Sequence, residues 1–261
     1  MRKGFAIVKT YWQNLAEYRL DSFIYTLGSV IFPVIMLSVW LKVGQSGTGL
    51  PYTPNELVTY YLALSFTGMI TAAWLAWVID EQVRNGQLSP YLLKPVSYVL
   101  FLAADTIAEK VFRLLYIVPM IVLLAVFFHA HVLFSAGQLG LFLIALFLAA
   151  ALASVFNVML GLLCFWLADV RPVLSISNLL HTIFSGGIIP LAFFPGVLGL
   201  IAQWMPYRFM LSFPVEILVG KLSTEQVIMG FVWQGGWLIF SMCGYQLLWR
   251  LGIREYQAVG S

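Results

Sequence analysis

Residues able to do chemistry are few in this chain, and they gather in a handful of places. The densest is the stretch from Asp80 to Arg113, which carries eight charged residues: Asp80, Glu81, Arg84, Lys94, Asp105, Glu109, Lys110 and Arg113. Long apolar runs flank it on both sides. A lipid-embedded chain that concentrates charge in one short insert presents that insert to something in water. His129 and His131 lie two apart, but with no third ligand close in sequence no metal site is expected. Inside the apolar runs the polar residues are uncharged: Asn157, Asn178, His181, Thr182 and Gln234. Asn178 and His181 are three apart and share one helix face. They read either as lining of a substrate path, with Phe66 and Trp74 as aromatic candidates for the same path, or as interhelical hydrogen-bonding glue, the reading favoured for Asn157.

Several chemistries have no carrier here. There is no GxxxxGK[ST] phosphate loop, so this chain is not expected to bind ATP itself. HExxH and GxSxG are absent too. Asp and Glu cluster at the ends of the apolar runs, whereas proton- and ion-driven carriers use buried ionisable residues as relays. That pattern argues against a secondary transporter.

The elements that must position these residues are membrane helices. The chain is 61% hydrophobic and 10% charged, with 20 Phe, 12 Tyr and 9 Trp, far from the composition of a soluble domain. A net charge of +3 gives no reason to expect nucleic acid. Cys164 and Cys243 both fall in apolar runs and read as small hydrophobes. The N-terminus lacks an unbroken apolar core and is expected to be retained. Since about 20 apolar residues cross the ~30 Å hydrocarbon core, six stretches qualify as spans: 22–43, 57–79, 111–133, 139–167, 173–193 and 227–249. Breakers fall inside the first (Gly28, Pro33) and the fifth (Gly186, Gly187, Pro190). In the fourth, Ala145, Ala149 and Ala153 recur every four residues, a spacing that lets helices approach closely, so this face is expected against protein.

The expected fold is therefore all-α: a single polytopic transmembrane domain over 1–261 with six transmembrane helices. Residues 1–20 place Phe5, Val8, Trp12 and Leu15 opposite Lys9, Gln13 and Glu17, the pattern of an N-terminal interfacial helix. The 80–110 segment is a cytoplasmic loop. With the N-terminus inside, eleven Lys and Arg fall in inner segments and three (Lys42, Arg208, Lys221) in outer ones, so both termini are expected in the cytoplasm. Residues 194–225 are too apolar for an exposed loop, and Pro195, Pro206 and Pro214 preclude one long helix. Short apolar pieces between prolines suit an outer re-entrant hairpin between spans five and six; a loop resting on the outer surface is the other reading.

Two stretches resemble a known family. VIDEQVRNGQLSPYLLKPVS is similar to the charged helix, glycine and leucine-rich segment ending at proline of the six-span permease subunits of type-2 ABC exporters (ABC-2). SGGIIPLAFFPGVLGLIAQWMPYRFMLSFPVEILVG is similar to that family's proline-punctuated aromatic segment after the fifth span. The topology agrees over essentially the whole chain. The resemblance implies that the loop after the second span carries a coupling helix that docks on a cytoplasmic ATPase, with Asp80, Glu81, Arg84 and Gly86 on or beside it; a solvated loop is the alternative. It implies an outer gate built around Pro195, Pro206, Arg208, Pro214 and Glu216. It implies two ATPase subunits as partners that bind ATP and Mg, a second permease, identical or homologous, and a bacterial plasma membrane. This chain would hold no cofactor and would not itself be an enzyme. The many aromatics and uncharged spans suit an amphipathic, lipid-like or drug-like cargo moved outward. Two rival readings use the same residues: a lipid-modifying membrane enzyme built on His129, His131, Arg208 and Glu216, or a docking and assembly protein that transports nothing.

Overall fold

The computed structural model describes residues 19–46, 49–94, 98–131 and 134–256. The expected interfacial helix over 1–20 lies almost entirely outside the described residues. Among those described, every regular element is helical. In chain order they are α1 (Arg19–Gln45), α2 (Pro54–Thr71), α3 (Leu75–Arg84), α4 (Ser89–Leu92), α5 (Tyr98–Phe127), α6 (Ala136–Gly161), α7 (Arg171–Phe184), α8 (Gly196–Trp204), α9 (Pro206–Met210), α10 (Ser212–Val219) and α11 (Thr224–Glu255). A 3-10 turn, Leu162–Phe165, continues α6, and another, Leu191–Phe193, precedes α8.

Five helical stretches are long and apolar enough to cross a membrane: α1, α2 with α3, α5, α6 with its 3-10 extension, and α11. Three of them begin with a capping box. Thr53, Ser135 and Ser223 accept the amides of Glu56, Gln138 and Gln226, whose side chains accept the cap amides in return. Each box satisfies two orphan donors at a helix start and contributes about 1 kcal/mol. These starts lie at one end of the bundle, the cap end, where residues 49–54, 128–131, 134–135 and 191–223 also gather. The opposite end, with the α3–α5 connection, is the loop end.

Two expected spans are interrupted. The second breaks at Ala72–Trp74, where α2 stops, and α3 begins at Leu75. The restart is stabilised by Asn157 of α6, whose Oδ1 accepts the Ala76 amide at 2.7 Å. Asn157 is therefore glue, as its position in an apolar helix suggested. The fifth expected span, 173–193, is not one helix. Its helical part is the 14 residues of α7, about 21 Å at 1.5 Å per residue and short of a ~30 Å core. The chain then unwinds over Ser185–Pro190, because Gly186 takes φ +83° and Pro190 has no amide to donate. A side chain at Gly186 would also meet Tyr60 and Ser212 at 2.7 Å. The freed carbonyls are satisfied from elsewhere: Tyr60 donates to Gly186 O at 2.9 Å, and Tyr61 (2.9 Å) and Trp40 (3.1 Å) both donate to Ile188 O.

The core runs along α2, α6, α10 and α11. Ala145, Ala149 and Ala153 are buried, as their spacing predicts. Gln234 of α11 is fully buried and donates to Ala145 O at 3.0 Å and Phe209 O at 2.9 Å. It thereby fastens α11 to both α6 and α9. On the other side α5 packs against α1 and α2.

Candidate functional site

Three groups of polar residues are brought together, one at each end of the bundle and one between. At the loop end, α3 buries Leu75, Ala76, Ile79 and Asp80 on one face. Asp80 is 4% exposed, and its Oδ1 accepts Arg84 Nε at 2.7 Å, one helical turn on. The other side of the Arg84 guanidinium reaches Asp169 at 3.3 Å, in the connection between α6 and α7. Asp169 also accepts the Arg171 amide at 3.0 Å, so it sits at the start of α7. Arg84 is thus the fork that ties α3 to the entry of α7. Of the expected coupling residues, Asp80 and Arg84 are spent on each other and on Asp169, while Glu81 points outward, exposed. Gly86, at φ +69°, makes the left-handed turn that ends this helix.

Beyond Gly86, Leu88 is buried and α4 forms a single turn. Ser89 hydrogen-bonds the Tyr256 hydroxyl at 3.0 Å, just past α11. Tyr98 donates to Gln82 at 2.7 Å and stacks on Trp249 at 5.5 Å between ring centres. The loop is therefore fixed to α7 through Asp169 and to α11 through Tyr256 and Trp249. Its tip is apolar: Leu93 is 87% exposed and Leu92 is 40% exposed. In the sequence these leucines stand out only as part of the leucine-rich segment before the proline, and the docking role was assigned to the charged residues instead. Asp169 was missed because it lies 85 residues from Arg84.

Midway, a cavity of about 330 Å³ lies between α2, α3, α6, α7 and α9. Trp74, Asn157, Asn178, His181 and Tyr207 line it. The Tyr207 ring meets His181 edge-on at 5.8 Å, and its hydroxyl hydrogen-bonds Ser177 at 3.1 Å. His181 and Thr182 also border a second cavity of about 270 Å³ toward α1. Three of the four residues expected on a path thus share one cavity. Phe66 does not: it packs half-buried between the side chains of α1, α2 and α5. Asn178 and Thr182 are exposed where they border these cavities, and Ile176, Leu179 and Ile183 of α7 are exposed as well.

At the cap end, Pro195 caps α8, Pro206 opens α9 and Pro214 lies in the first turn of α10. Each sits at a helix start, where its missing amide costs nothing. Arg208 and Glu216 form a buried ion pair at 2.8 Å, with side chains 15% and 7% exposed. Arg208 Nε has no partner among the described residues. Lys221 pairs with Glu56 at 2.8 Å and donates to Pro51 O at 3.1 Å, so α10 is tied to the start of α2. Burial, with Glu216 and Glu56 nearby, pushes the neighbouring Tyr52 phenol up, and it stays neutral. A cavity of about 290 Å³ opens here, walled by Arg208, Glu216, Lys221, Trp204 and Trp233. His131 is held through its backbone, exchanging two hydrogen bonds with the Asn55 side chain. Among the described residues no group of three His, Cys, Asp or Glu could hold a metal.

The geometry is that of a helical bundle with a tethered, apolar-tipped loop at one end, an amphipathic cavity in the middle and a proline-segmented cap. No curated protein matches the chain. A family model described as ABC-2 family transporter protein matches residues 22–260. That match, with five helices able to cross a membrane, makes the chain a multi-pass membrane protein of the ABC-2 transporter family.

Proposed function

We propose that this chain is the transmembrane permease of an ATP-driven exporter, working as a pair of permeases with two ATPase subunits. The observation that carries this reading is the loop end. Leu92 and Leu93 stand exposed on a loop whose base is fixed to α7 by Arg84–Asp169 and to α11 by Ser89–Tyr256. Exposed leucines on a rigid mount suit docking into a groove on a water-soluble partner. Family members generally work with ATPase partners, and the positive bias of the loop-end segments supports a cytoplasmic setting. Force applied at the tip passes through Arg84 to α7, the helix that carries Asn178 and His181 on the cavity wall.

Asn178 and Thr182, exposed on the open side of these cavities, argue for a second permease that covers them, because polar side chains left facing lipid are costly. Cargo enters the cavity beside Trp74 and His181 from the cytosol or inner leaflet and leaves past the cap. The α8–α10 segment acts as the re-entrant gate, counting α7 and the cap pieces together as the sixth crossing. The aromatic walls suit an amphipathic, lipid-like or drug-like cargo. ATP and Mg bind in the partner subunit.

The test is capture of the tagged chain from its native membrane, with ATPase retention and cargo-stimulated hydrolysis as readouts. Replacing Leu92 and Leu93 together by Glu is expected to abolish retention while leaving the permease folded. Retention of no ATPase by the wild type, or equal retention by the double variant, overturns the proposal.

A further inference from the structure

A cavity broader than the three above belongs to neither the central path nor the cap. It is a trough of about 590 Å³ between α5 on one side and α6 and α11 on the other. Near the cap end α5 and α6 share one apolar cluster, which holds Ile121 and Leu124 with Phe142 and Leu146. The three helices meet at the loop end, where Tyr98 and Leu102 pack with Val158, Tyr245 and Trp249. Between those two clusters α5 leans on α1 and α2 and stands off from α6 and α11. Small side chains (Ala103, Ala150, Ala151) keep the gap open.

The walls are apolar apart from a few groups. The Thr106 and Ser154 hydroxyls are spent on their own helices, donating to Leu102 O and Ala150 O. Lys110 is the one charged wall residue, and it has no hydrogen-bond or ion-pair partner among the described residues. Its charged neighbours on α5 are Asp105, Glu109 and Arg113, of which Glu109 and Arg113 pair with each other. Arg113 also lies over the Tyr25 ring at 3.9 Å, and Tyr25 accepts Trp74 Nε1 at 3.1 Å. These contacts set the Lys110 turn level with the loop-end start of α1 and the α2–α3 break. The charge on α5 ends within one turn of Lys110, as expected where headgroups give way to hydrocarbon. Past Arg113, α5 carries no charge through Phe127.

We infer that this trough is a binding site for an anionic phospholipid of the leaflet on the loop side, its phosphate held by Lys110 and an acyl chain laid along the α5–α6 gap. The volume falls in the range of ligand pockets. An unpaired ammonium at the rim of an apolar slot matches a ligand with an anionic head and a hydrocarbon tail. A lysine that merely snorkels to bulk headgroups would hold no particular lipid, and the test separates the two. The site faces away from α7 and the central cavity, so it does not depend on the transport reading.

The purified full-length chain, in nanodiscs of equimolar phosphatidylcholine and phosphatidylglycerol, is released into native mass spectrometry and its retained lipid identified. The expected result is one retained phosphatidylglycerol per chain, with retention reduced about tenfold in Lys110→Gln, as loss of a charge-assisted hydrogen bond predicts. Lys110→Arg restores it. Ser154→Phe, which fills the slot without touching the lysine, also displaces the lipid, and thermal unfolding of each variant confirms that it is folded. Arg250→Gln, which removes an exposed cation at the same end, leaves retention unchanged. Equal retention of the two lipids by the wild type, or an equal loss in Arg250→Gln, overturns the site, as does full retention in Lys110→Gln.

Discussion

The two ends of the bundle solve the same problem, fixing a non-helical connection, in opposite ways. At the cap end the fastening is buried. Arg208 and Glu216 pair inside protein, and the Gly186–Ile188 backbone is held by Tyr60, Tyr61 and Trp40. At the loop end the fastening is half in water: Asp80 is buried, but Arg84 is a third exposed and Asp169 half exposed. A buried pair is costly to break because the survivor is left charged and unpaired, whereas an exposed pair contributes little. The cap end is therefore held by the costlier fastening and the loop end by the cheaper one.

Four substitutions sharpen or break this contrast. The largest effect is expected from Glu216→Ala, which strands Arg208: about 3–5 kcal/mol of stability, read as a lowered thermal midpoint in detergent. If Glu216→Ala is neutral, the pair is not buried as described. Next is Gln234→Leu, which leaves the Ala145 and Phe209 carbonyls without their donor, at about 1–3 kcal/mol. Asp169→Asn removes the exposed arm of the Arg84 fork and is expected to cost less than about 1 kcal/mol. Its signature is functional instead, a weakened link between ATP hydrolysis and transport. A stability loss as large as that of Glu216→Ala would erase the distinction between the ends. Leu93→Glu, at a side chain 87% exposed, is expected to leave the midpoint unmoved and to weaken ATPase capture.

The long helices were legible because lipid demands apolar runs, and all five spanning stretches overlap expected ones; α5, however, is Tyr98–Phe127 against the expected 111–133, so the end of the expected 80–110 loop is helix. The break at Ala72–Trp74 was not legible, since it contains neither Gly nor Pro and depends on Asn157, some eighty residues away. Gly186, Gly187 and Pro190 were visible as breakers. Their consequence, the end of α7 after 14 residues, depends on three aromatic donors from α1 and α2 that no local pattern reveals. The i, i+4 spacing of Asp80 and Arg84 was equally visible, yet charge in a loop read as a surface for a partner. In the fold that charge is structural and the exposed tip is leucine. Asn178, His181 and Trp74 do share a cavity, because their helices converge there, while Phe66 is drawn into packing by its neighbours on α1 and α5.

The account rests on the loop tip being the surface that meets the ATPase. A photocrosslinking amino acid placed at Leu93, and separately at Trp204 on the cap, tests this in native membranes. The expected result is a crosslink to an ATPase from position 93 and none from position 204. A crosslink from position 204, or from neither while an ATPase still co-purifies, would contradict it.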